Sequence, residues 1–97
     1  MDALIHQAIS NKRVIQFSYG GHSRIVEPHI LGIKDGTMQI LGYQIGGTSS
    51  QGGLPEWRRF SLPNMRMLEL HTDSFHGARE YHARHSAWDV KLIIVAP

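Results

Sequence analysis

The chain has 97 residues, 41% of them apolar, and a formal charge of +2 at pH 7 with its seven histidines neutral. That length makes one domain with a modest core, and the apolar fraction excludes a disordered chain. With no cysteine, disulfide and thiolate chemistry are excluded, and no apolar run reaches the roughly 18 residues of a spanning helix.

The start, Met1-Asp2, lacks the basic and apolar regions of a secretory leader, so a cytoplasmic protein is expected. Asp2 to Asn11 then reads as a short helix. Leu4, Ile5, Ala8 and Ile9 share one face, Asp2 is placed to cap the N-terminus, and Asn11 suits a left-handed C-terminal position. From Arg13 to Tyr19 the period switches to two, as in a half-buried strand. Gly20-Gly21-His22-Ser23 is a turn cluster, so Arg24 to Ile33 is expected to return as a hairpin partner. Lys34-Asp35-Gly36 is a second turn, leading into a third strand over 37–45. Pro28 has no N–H to give a ladder and therefore predicts an edge or a bulge, the kind of bend that curls a short sheet.

Residues 46–56 carry four glycines and a proline and read as a loop. Strands are expected over 57–62 and 65–71, separated by a turn at Pro63-Asn64. A helix is expected over 75–84, despite Gly77. Val90 to Val95 is a β-type run with Lys91 as its only charge, to be buried on both faces or added to a sheet edge.

Three runs stand in a telling order: Arg24-Ile-Val-Glu-Pro28, Met38-Gln-Ile-Leu-Gly-Tyr43 and Trp57-Arg-Arg-Phe-Ser-Leu62. They resemble the WYL domain, a small module of bacterial regulators whose elements read R-x-V-x-P, W-Y-L-x-G-Y and R-x-F-R-x-D-R-I. Arg24, Val26 and Pro28 match the first element, Leu41, Gly42 and Tyr43 the second, and Arg58, Phe60 and Leu62 the third. Met38, Gln39 and Ile40 replace the naming triad, while Ser61 and Asn64 replace two arginines. The resemblance implies a mainly β fold: a closed antiparallel barrel of the Sm-like or Src-homology-3-like type, with an N-terminal helix. The barrel would occupy about 12–72 of the single domain 1–97, and a helix-strand extension about 73–97. Phe17, Ile25, Ile40, Phe60 and Leu68 are expected in its core. With no winged-helix segment in view, a free-standing module is expected, acting on a regulator in trans or within an accessory or defence system.

The candidate site is basic. Arg24, Arg58 and Arg59, with Tyr43 and Trp57 near in sequence, pair phosphate-binding forks with stacking rings. By the resemblance, Arg24, Arg58, Tyr43, Gln39 and Arg59 line one barrel face that binds an anionic ligand, either a nucleotide or single-stranded nucleic acid. Loss of two cations at Ser61 and Asn64 is expected to weaken such binding and flatten its salt dependence. Alternatively, Arg24 and Arg58 pair with Glu27, Glu56 or Glu69. Trp57 and Trp88 are expected to seal barrel ends.

His82 and His85 have a metal-like spacing, with His71, His76, Glu80 and Asp89 nearby, but no zinc-binding motif accompanies them. Surface histidine and no bound metal or cofactor are expected. Neither a nucleophile elbow nor a phosphate-cradling loop occurs, so the chain reads as a non-enzymatic binding module. A second reading is an interaction domain whose C-terminal strand forms a homodimer. A histidine-based metal hydrolase is the remote third.

Overall fold

The computed structural model describes residues 1–48, 53–80 and 87–97. Helix α1, Asp2–Ser10, buries Ile5, Ala8 and Ile9, one stripe at helical spacing. Its ends differ from expectation by one residue each. Asp2 is the first helical residue, with Met1 at the cap, although the Asp2 carboxylate accepts the Ala3 N–H at 3.1 Å. Asn11 keeps φ at −100°, and Lys12 takes the left-handed conformation at φ 55°. The chain leaves the helix only after the Asn11 and Lys12 N–H groups have reached the carbonyls of Gln7 and Ile9.

Six strands follow: β1 (Arg13–Tyr19), β2 (His22–Lys34), β3 (Thr37–Gly47), β4 (Glu56–Ser61), β5 (Arg66–Ser74) and β6 (Val90–Ile94). All pairings are antiparallel, in the order β4-β3-β2-β1-β5, with β6 added to β2. The first two turns are Gly20-Gly21 and Asp35-Gly36, with positive φ at both central residues of each. Such turns match the twist of the strands they join.

Strand β2 organises the sheet. Along one edge it pairs with β1 from His22 to Val26 and with β6 from Ile30 to Ile33, while β3 runs along the other. Pro28 stands where that edge changes neighbours, and the register against β3 slips between Pro28 and Ile30. The residue without an N–H thus marks a bulge and bend, as expected. The C-terminal strand folds back onto this chain's own sheet. Its alternation leaves Val90, Leu92 and Ile94 exposed while Val95 is buried.

The sheet is bent but open. Among the described residues β4 and β5 form its two ends and do not pair with each other, so the expected closed barrel is not formed. A single 3-10 turn, Leu62–Asn64, joins these strands. Leu62 and Met65 are buried beside it in the core. Residues 75–80 form no helix, contrary to expectation; the rest of that segment, 81–84, lies outside the described residues. Gly77 has φ 125°, and the N–H groups of Phe75 and Ala78 go to the distant carbonyls of Lys12 and Ala96. The positive φ at Gly77 interrupts a helical path, and the two long-range bonds tie the stretch to the end of α1 and to the C-terminus instead.

The core joins α1 to the inner face of the sheet through Phe17, Val26, Ile40 and Phe60. Phe17, Ile40 and Phe60 are buried as expected. Leu68 is half-buried and packs on the core's margin, and Ile25 is half-buried outside it. Val26 takes the inward place expected of Ile25, because β2 enters the sheet in the opposite phase. Arg24, two residues before Val26, therefore also points inward. No described helix is long and apolar enough to cross a membrane.

Candidate anion-binding site

Strand register divides the five candidate residues between two faces. Arg58 stands opposite Gly42 and two residues before Phe60, which stands opposite Ile40. Alternation puts Arg58 on the inner face with Phe60 and Arg24. Tyr43 pairs with Trp57, Leu41 with Arg59, and Gln39 with Ser61, all on the outer face. Arg24 and Arg58 are thus brought together, whereas Tyr43, Gln39 and Arg59 are not in their site.

On the inner face Arg24 is 6% exposed. Its guanidinium donates to the Tyr19 carbonyl from Nε (3.3 Å) and Nη2 (3.0 Å), and from Nη1 to Gln44 Oε1 at 3.2 Å. The Tyr19 and Phe60 rings each lie 5.7 Å from its central carbon, within cation–π range. Burial lowers its pKa, and the neighbouring Arg58 charge lowers it further, against a smaller opposing effect of Tyr19. Gln44, fully buried, carries the network onward by donating to the carbonyls of Gly46 and Thr48 at 3.0 and 3.2 Å. The Tyr19 hydroxyl accepts the Ser61 N–H at 3.1 Å. Arg58 donates to Glu56 Oε2 at 3.0 Å. Of the glutamate pairings considered from sequence, this one forms. Arg24 instead takes neutral acceptors, among the described residues. A buried guanidinium is tolerable when hydrogen-bonded, but its charge persists.

The outer face is built differently. Glu27, its side chain 5% exposed, receives Arg79 Nε at 2.7 Å on one oxygen and Nη2 at 2.8 Å on the other. His29 Nε2 lies 3.3 Å from the first oxygen. Burial pushes the Glu27 carboxyl up. The hydrogen bonds and charges of Arg79 and His29 outweigh it, and the pKa falls to about 2. Aromatic rings frame this pair: Trp57 lies 4.8 Å from the His29 ring and 5.1 Å from Tyr43, and Phe75 lies 5.2 Å from His29. Trp57 thus lies within this outer cluster. Further along, the Arg59 guanidinium lies 4.3 Å over the Trp88 ring, its pKa lowered by burial. Gly32 permits this stacking, since a Cβ there would come 2.6 Å from that indole.

Glu27, His29 and Arg79 did not enter the candidate site from sequence. Their signal is a pair of polar residues two apart inside the apolar run of β2, which calls for buried partners. Arg79, in the stretch read from sequence as a helix, gives none. His82 and His85 lie outside the described residues, and no metal-holding cluster of His, Asp and Glu occurs among those described.

Comparison with protein-family models, curated proteins and solved structures returns no match in any of the three.

Proposed function

We propose that this chain is a non-enzymatic, cytoplasmic regulatory module of the WYL type, with an opened Sm-like or Src-homology-3-like sheet. Arg24 and Arg58 hold an anionic ligand, a nucleotide or single-stranded nucleic acid. One observation carries this reading: two guanidinium groups share the inner face, and the more buried one takes only neutral acceptors among the described residues. Like charges so placed raise one another's energy, and a phosphate bridging them relieves the repulsion through paired charge-assisted hydrogen bonds. Arg58 reaches the ligand by exchanging Glu56, itself half exposed, for phosphate oxygens. Tyr43 and Arg59 do not contribute, because they face the other way. The test is titration with a short single-stranded oligonucleotide and with a nucleoside triphosphate at low and high salt. Binding that weakens with salt and falls at least about tenfold in Arg58→Ala supports the site. Salt-independent binding, or none, removes it.

A second reading has its own observation. Val90, Leu92 and Ile94 are each nearly half exposed, and β6 has β2 as its neighbour along one edge. An apolar edge strand invites a further strand, and a homodimer through β6 would cover it. Sedimentation of the wild type and Leu92→Lys decides: a dimer converted to a folded monomer supports it, and a wild-type monomer rules it out.

A further inference from the structure

The Glu27 site has the chemistry of a receptor occupied by its own chain. A nearly fully buried carboxylate presents both oxygens to one planar fork, and the Tyr43 ring lies 4.3 Å from the carbon of that same guanidinium. Carboxylate at the edge and aromatic ring at the face together select a guanidinium over an ammonium. Beyond the receptor half, Trp57, His29 and Phe75 form a continuous ring cluster. Glu27, His29, Tyr43 and Trp57 stand on strands β2, β3 and β4. The occupant does not: Arg79 lies in the stretch 75–80, outside any helix or strand, and its side chain is 46% exposed. A cavity of about 330 Å³, lined by Glu27 and by the stretch 74–79 that carries Arg79, lies beside the pair.

We infer that Glu27 and Tyr43, on the outer face of β2 and β3, form an arginine-binding site. Arg79 fills it in cis, and an arginine side chain of a partner peptide fills it when Arg79 withdraws. The site is independent of the Arg24–Arg58 pole, which lies on the opposite face and has the opposite ligand charge. Because Arg79 is tethered, its effective concentration at the carboxylate is in the millimolar range or above. An external arginine therefore competes poorly with the wild type, and emptying the site uncovers the binding.

The experiment titrates Nα-acetylargininamide and Nα-acetyllysinamide into the wild type, Arg79→Ala and Arg79→Ala/Glu27→Gln, following the Trp57 indole signal by NMR. Arg79→Ala is expected to bind the arginine probe at least about tenfold more tightly than the wild type does. It should prefer arginine to lysine, and the added Glu27→Gln should abolish binding. A folded Arg79→Ala that ignores the arginine probe overturns the inference. So does one that takes lysine equally well or keeps binding without the Glu27 carboxylate. Should Arg79→Ala not fold, Arg79→Lys retains an ion pair without the fork. Arginine binding there that is tighter than in the wild type supports the site, and no gain overturns it.

Discussion

The two faces of this sheet handle an arginine in opposite ways. On the inner face Arg24 is almost completely buried and is held by a backbone carbonyl, an amide oxygen and two rings, with a second arginine nearby. On the outer face Arg79 is half exposed yet bound through both oxygens of a buried carboxylate. The more buried cation has neutral acceptors and the more exposed one has the counter-charge. Structural ion pairing accounts for Arg79. It does not account for Arg24, whose positive charge is retained in the interior without neutralisation among the described residues. That contrast is the ground for proposing an anion on the inner face and a partner's arginine on the outer one.

The largest expected effect comes from breaking the inner network. Arg24→Ala removes packing against Phe60 and leaves the Gln44 oxygen and the Tyr19 carbonyl without their donor, costing about 3 kcal/mol in chemical denaturation. Arg24→Met restores most of the contact with the rings but none of the hydrogen bonds, and recovers about half of that loss.

Next is the outer carboxylate. Glu27→Gln should cost about 2 kcal/mol near neutral pH, less than the full pKa difference implies because solvent screens the half-exposed Arg79. The folded pKa of about 2 lies below the ordinary carboxyl value of 4.5. The stabilisation is therefore complete above about pH 4.5 and is lost as pH falls toward 2. Wild type and Glu27→Gln should thus converge in acid, and a gap that stays constant down to pH 2 would break this side of the comparison.

Much of this architecture is legible from local chemistry. Gly20-Gly21 and Asp35-Gly36 announce their hairpins because left-handed backbone favours those residues, and Pro28 announces its bulge. The phase of β2 is less legible: His22 to Lys34 carries apolar residues on both faces, so periodicity alone does not separate Ile25 from Val26. That one-residue ambiguity also hides which way Arg24 points, and with it the division of the candidate site between two faces. The open seam between β4 and β5 depends on long-range register, and Arg79's partner on a contact 52 residues away. Neither is written in any local window.

The smallest effect on stability is expected at Arg58. Arg58→Ala breaks the pair with the half-exposed Glu56 and removes a side chain that is itself only 10% exposed, and should cost about 1.5 kcal/mol, while the proposed anion binding should fall at least about tenfold. A variant that loses stability and binding in parallel would move Arg58 from the ligand site to the framework.

The most direct measurement is a titration of a short single-stranded oligonucleotide followed through the arginine Nε–H NMR signals. Those of Arg24 and Arg58 should shift together and saturate with one dissociation constant that rises with salt, while those of Arg59 and Arg79 stay in place. Shifts confined to Arg59 and Arg79, or none at any arginine, would contradict an anion site on the inner face.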